Sequence, residues 1–230
     1  ALLALSLQKR FDSRPDRNSW LLPVATKDNN HRAVWLGGGG VGKTRTLCKV
    51  VQPLAEIYFG PQGYSATAHS NHAAQNLGSK GRTLHAANGL LHKDSMQTAR
   101  LRLNAETQKK MDRLVGGLGV DVIDELGAVP ADLLHADALR KTYGRCQRHN
   151  LDATLYMKPG ETWGRMPAKI LTGDFLQLPP VPHSASCLAP WSGQSYEHQQ
   201  GRKLLLDMEY VVDFVQMQRF QDPLLVEVLQ

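Results

Sequence analysis

Apolar positions along the chain fall into two alternating patterns. Short, nearly continuous apolar runs stand at residues 33–36, Tyr64–Ala68, 118–123 and 168–172. Such runs, bounded by glycine and polar turn residues such as Gly60-Pro61-Gln62-Gly63, predict buried strands. Between them lie longer stretches with spaced apolar positions. Residues 101–118 place Met111, Leu114 and Val115 on one face and stop at Gly116-Gly117. Residues 131–146 place Leu133, Leu134, Ala138 and Leu139 inward. A helix is expected from residue 46, another where the small-residue stretch at 69–77 runs from loop into helix, a short one over 1–11 and a last one carrying Leu224, Leu225, Val228 and Leu229. Strands alternating with helices predict an α/β fold, a mostly parallel sheet with helices on both faces. Asp121 interrupts this pattern, because it sets a charge in a strand that should be buried.

Chemistry enters where the first strand ends. Gly37, Gly38, Gly39, Gly40, Val41, Gly42, Lys43 and Thr44 fit the G-x-x-x-x-G-K-[ST] phosphate-binding loop, in its strand–turn–helix context. Glycines let successive N–H groups turn into one concavity that suits phosphate oxygens. Lys43 is expected to reach the β- and γ-phosphates, and Thr44 to hold Mg²⁺. ATP and Mg²⁺ are therefore the expected cofactors, and the fold becomes a P-loop NTPase. The strand at 118–123 closes in Asp124-Glu125, where the Asp suits the Mg²⁺ shell and the Glu is placed to polarise an attacking water. The strand at 168–172 runs into Gly173-Asp174-Phe175-Leu176-Gln177, which sets Asp174 and Gln177 at a carboxyl strand end, near a γ-phosphate.

Composition narrows the partners. An excess of 27 Lys and Arg over 21 Asp and Glu is compatible with an anionic partner such as nucleic acid. Cys48, Cys146 and Cys187 stand isolated, which indicates neither a zinc site nor a disulfide framework and suits a reducing compartment. No apolar stretch is long enough to span a bilayer, so no membrane partner is expected. Trp163 can stack on a base or pack in the core.

The stretch Gly-Asp-Phe-Leu-Gln-Leu-Pro-Pro-Val at 173–181 resembles the third motif of superfamily 1 DNA helicases of the Pif type, a group that includes the helicases of Helitron transposons. The phosphate loop, Val122-Ile123-Asp124-Glu125 and this stretch occur in that family's order. Residues 67–74 resemble its Ia motif, Gly81-x-Thr83-Leu84-His85 its next DNA-contacting motif, and Gln218-Arg219-Phe220 the fourth, whose Arg acts as an arginine finger. The resemblance covers roughly residues 33–230 and implies an RecA-like ATPase translocating 5′ to 3′ on single-stranded DNA, or on DNA with a single-stranded tail, and unwinding duplex. It implies catalytic roles for Lys43, Asp124, Glu125, Gln177 and Arg219, and DNA contacts from Thr67, Asn71, Thr83 and His85. Gln8 is the candidate for the adenine-reading glutamine that helicases carry ahead of the loop. An intracellular location follows, nuclear in a eukaryote and otherwise cytoplasmic. The sequence departs from the family at Leu126-Gly127-Ala128-Val129 and at Phe220, and shows no counterpart of the fifth and sixth motifs. The expected organisation is an approach segment (1–32), a RecA-like domain (33–200) and the start of a second, truncated RecA-like domain (201–230). A P-loop ATPase acting on protein partners and a nucleotide-binding remnant without turnover are the alternatives.

Overall fold

Strand β1 (His31–Leu36) is the axis of a parallel sheet that sorts its side chains by the strand period of two. A computed structural model describes residues 1–12, 24–25, 30–90, 105–152, 158, 161–177, 180, 186–189 and 194–216. After β1, helix α2 (Lys43–Thr46) runs through a π-helical stretch (Leu47–Val51) into α3 (Gln52–Phe59). Strand β2 (Tyr64–Ala68), α4 (Asn71–Asn76), β3 (Gly81–Thr83) and α5 (Leu84–Ala87) follow. The remaining elements are α6 (Ala105–Val115), β4 (Val120–Asp124), α7 (Ala131–His149), β5 (Ala168–Gly173), α8 (Tyr196–Leu206) and β6 (Tyr210–Asp213). The chain opens on α1 (Leu2–Asp12), which packs on α3. Strand order is β3-β2-β4-β5-β1-β6, and every paired neighbour is parallel.

The two faces of the sheet carry separate cores. Ala33, Trp35, Val120, Val122, Ala168 and Ile170 point to the side of α1, α3 and α4, and join Leu3, Leu7, Leu47 and Ala73 there. Val34, Ile123 and Leu171 point to the side of α6, α7 and α8, and join Met111, Leu133, Leu134 and Leu204. Helices therefore cover both faces, as a buried parallel sheet requires. Strands β3 and β6 and helices α5 and α8 were not read from the sequence. The expected boundary at residue 201 falls inside α8, and β6 pairs in parallel with β1, so the sheet runs on past that boundary.

Asp121 lies within β4, fully buried, on the face that meets α7. Lys141 of α7 and Lys169 of β5 both donate to it. The same two ammonium groups contact Asp137, at 2.7 and 2.9 Å. Asp137 also accepts from Trp163 Nε1 (2.8 Å) and from Asn88 Nδ2 (2.8 Å). Two carboxylates and two ammonium groups thus close a neutral, fully buried cluster between sheet and helix. Trp163 is wholly buried with Lys169 4.9 Å from its ring centroid, so it packs in the core and does not face a base. Its backbone belongs to a left-handed turn, with positive φ at Trp163, Gly164 and Arg165. Buried Arg32 and Arg145 hold that turn by donating to the carbonyls of Thr162, Gly164 and Met166.

Candidate functional site

The carboxyl ends of β1, β4 and β5 open on one cavity of about 460 Å³. It is lined by the loop from Gly39 to Arg45, by His72, Ala73 and Asn76 of α4, by Asp124 and Glu125, and by Gly173, Asp174 and Gln177. Strand β1 has β5 on one side and β6 on the other, while the chain leaving β1 crosses to β2 beyond β4. This is the switch point at which open parallel sheets bind ligands.

Local chemistry shapes the loop. Gly37 has φ +141°, and a Cβ there would stand 2.4 Å from the Phe214 carbonyl oxygen, just past β6. Phe214 N–H donates to Leu36 O (2.8 Å), so the end of β6 pins the entry to the loop. Gly42 takes φ +93° and precedes the first turn of α2. A Cβ on Gly38 would meet nothing within 4 Å, which leaves the middle of the loop open. Lys43 Nζ donates to the carbonyls of Gly37 and Gly38 (2.9 Å to the latter). Burial lowers the Lys43 pKa from its ordinary value, opposed by the charges of Asp124 and Asp174.

The acidic pair splits into two environments. Asp124 Oδ1 accepts from its neighbour's N–H (Glu125, 2.9 Å) and from Thr172 Oγ1. Asp124 Oδ2 lies 3.4 Å from Thr44 Oγ1. A hydroxyl and a carboxylate oxygen facing each other at the cavity wall are the hard oxygen donors that suit Mg²⁺. Glu125 has left-handed backbone (φ 56°), strain of the kind that concentrates at functional positions. Burial raises its pKa, as does the charge of Asp124, while His72 and a hydrogen bond from the Ser70 hydroxyl oppose the rise. Gln177 is exposed and its Nε2 lies across the loop from Gly39, 3.9 Å from where a Cβ would stand.

The other expected site residues divide. Thr67 is fully buried and its hydroxyl donates to Val122 O (2.9 Å), so the DNA contact expected of it is corrected to a strand-pairing role. Asn71 is exposed, Thr83 caps α5 by accepting from Ala86 N (3.2 Å), and His85 lies half-buried beside His69, ring centroids 6.4 Å apart. These three share one end of β2 and β3, where Ala68 pairs with Thr83. Gln8 does not line the cavity; its amide donates to Asp12 (2.8 Å) and accepts from Tyr58 (2.6 Å). Arg219, and the end of the third motif at 178–179 and 181, lie outside the described residues. Thr172 and Ser70 were missed by sequence reasoning. Thr172 carried one signal, a hydroxyl closing an apolar strand, but its pairing with Asp124 depends on the order of strands. Among the described residues, no helix is long and apolar enough to cross a membrane.

The parallel sheet, the loop after β1 and the cavity at the strand ends define an α/β P-loop NTPase domain with a RecA-like sheet. Comparison with known proteins adds the type. The chain is 26% identical over 189 residues to the ATP-dependent DNA helicase PIF1 of Saccharomyces cerevisiae (strain YJM789), a match covering 82% of this chain and 20% of that protein. Its fold is similar to the crystal structure of Pif1 helicase from Candida albicans, with TM-score 0.58 and 23% identity over 82% of this chain and 36% of that one. It is similar also to Bacteroides Pif1 bound to ssDNA, with TM-score 0.58 and 19% identity over 99% of this chain and 45% of that one. No family model matches. The Pif-type resemblance carried by the motifs is thus borne out in sequence and in fold, and the chain spans about one fifth of the curated relative's length.

Proposed function

We propose that this chain is the ATP-binding motor domain of a 5′-to-3′ DNA helicase, hydrolysing ATP to move along single-stranded DNA. The observation that carries the reading is the convergence of Lys43, Thr44, Asp124, Glu125 and Gln177 on one cavity at the ends of three strands. In this reading the loop N–H groups and Lys43 hold the phosphates, and Thr44 and Asp124 hold Mg²⁺, which would neutralise charge on the phosphoryl oxygens. Thr172 fixes the Asp124 carboxylate from behind. Glu125 accepts the proton of the attacking water. Gln177, facing the loop, senses the terminal phosphate and reports it to the DNA surface formed by Asn71, Thr83 and His85. Hydroxyl, amide and imidazole groups suit contacts to the DNA backbone. Arg219 supplies the arginine finger by resemblance, and the chain acts inside the cell on DNA with a single-stranded region.

The experiment is equilibrium binding of ATP in the presence of Mg²⁺. The wild-type chain binds, and Lys43→Ala lowers affinity about tenfold to a hundredfold, the cost of losing charge-assisted bonds to phosphate. A folded Lys43→Ala protein with unchanged affinity overturns the nucleotide assignment.

A further inference from the structure

Helix α4 supplies one wall of the nucleotide cavity. Its Ala73 and Ala74 are buried in the core with Leu77. His72 and Asn76, one turn apart and so on one face, are both exposed and both line the cavity. His72 is the one histidine in that lining. Other histidines have partners within the fold: His31 stacks on Tyr210 (5.1 Å between centroids), His149 Nε2 lies 2.7 Å from Gly116 O, and His69 and His85 face each other. Among the described residues no hydrogen bond holds the His72 ring.

Strand order fixes where this wall stands. Strands β5 and β4 lie between β1, which carries the phosphate loop, and β2, which leads into α4. Ala68 and Asp124 are register partners, so the chain leaving β2 runs beside the chain leaving β4. Away from the loop the cavity therefore passes Gly173 and Asp174 at the end of β5, then Asp124 and Glu125 at the end of β4, then His72 on α4. The loop and Lys43 take the phosphate chain, and Thr44 and Asp124 mark the Mg²⁺ position. A side chain beyond Asp124 meets what extends past the metal, which is the terminal phosphate. An imidazole carries at least one N–H whether neutral or charged, so it can donate to a phosphate oxygen in either state.

We propose that His72 is a specificity-determining residue: its ring N–H donates to an oxygen of the terminal phosphate, and by that contact the cavity tells a nucleoside triphosphate from a diphosphate. Lys43 cannot make this distinction, because it reaches the β- and γ-phosphates alike. This role rests on the helicase reading above, since ATP in the loop is what sets a terminal phosphate before His72.

The test needs no turnover. Equilibrium binding of a fluorescent, non-hydrolysable ATP analogue and of fluorescent ADP, each with Mg²⁺, is measured for wild type, His72→Ala, His72→Gln and Lys43→Ala. His72 is exposed, so its replacement leaves the fold standing, and retained ADP affinity reports this directly. His72→Ala weakens the triphosphate about tenfold, the scale of one hydrogen bond to a charged group, and leaves ADP within about twofold of wild type. His72→Gln, whose amide N–H donates from a similar reach, recovers most of the triphosphate affinity. Lys43→Ala weakens both nucleotides. Equal losses for the two nucleotides in His72→Ala, or no loss for either, overturn the assignment and leave His72 a solvated residue of α4. A wild-type chain that binds neither nucleotide overturns the nucleotide reading and His72 with it, whereas an unchanged triphosphate-to-diphosphate ratio in His72→Ala, beside the expected loss in Lys43→Ala, overturns the role of His72 alone.

Discussion

Glu125→Gln leaves ATP and Mg²⁺ bound while slowing hydrolysis by roughly 10²-fold or more, the usual worth of a positioned general base. The amide keeps the shape and the hydrogen-bonding reach of the side chain but cannot accept a proton. Asp124 is unaffected, because its own bonds to Thr172 and to the Glu125 backbone N–H do not involve the Glu125 side chain. The pair therefore separates by assay. Glu125→Gln shows normal equilibrium binding and a depressed single-turnover rate, while loss of the Asp124 carboxylate weakens the Mg²⁺ dependence of binding. A Glu125→Gln protein that turns over ATP at the wild-type rate removes Glu125 from the chemistry.

Asp137→Ala destabilises the fold by about 3–5 kcal/mol, the scale for breaking a buried ion cluster by removing one partner. The substitution strands Lys141 and Lys169 on the single remaining carboxylate of Asp121, leaves Trp163 Nε1 without its acceptor, and leaves the Asn88 amide with the Leu84 carbonyl alone. The half-exposed pair Lys80–Glu56, at 3.8 Å, makes the contrast, since solvent-screened pairs are worth about 0–1 kcal/mol. Urea unfolding midpoints at constant m-value give the comparison. Burial alone pushes the Asp137 carboxyl up, but Lys141 and Lys169 outweigh it and hold it below its usual range. Its contribution is therefore present above the ordinary carboxylate pKa of about 4 and is withdrawn as pH falls toward the lower folded value. A loss below about 1 kcal/mol for Asp137→Ala contradicts this view of the cluster.

What the sequence made legible follows from the physics of each feature. Strands β1, β2, β4 and β5 are continuous apolar runs because both faces of a parallel sheet are buried, and they stand where the pattern put them. The phosphate loop was legible because its glycines, lysine and threonine are adjacent in the chain. Asp121 looked out of place because its partners Lys141 and Lys169 lie 20 and 48 residues away and meet it only through the strand order. Thr172 was hidden for the same reason, since it bonds Asp124 from a neighbouring strand. Strand β3 is three residues long and α8 carries buried His198, Gln200 and Gly201, so neither shows a clear apolar period. Thr67 misled because a β-branched hydroxyl in a motif reads the same whether it faces solvent or bonds a strand carbonyl.

In the proposed reading the nucleotide cavity and a single-stranded DNA surface work as one device. Steady-state ATP hydrolysis by this chain, with and without oligothymidylate and over a range of salt, tests it most directly. Slow turnover is expected without DNA, and stimulation with it that fades as salt rises, because phosphate contacts are weakened by counterions. Gln177→Ala should keep both ligands and lose the stimulation. Hydrolysis that is identical with and without single-stranded DNA at low salt, in a chain that binds ATP, would contradict the account.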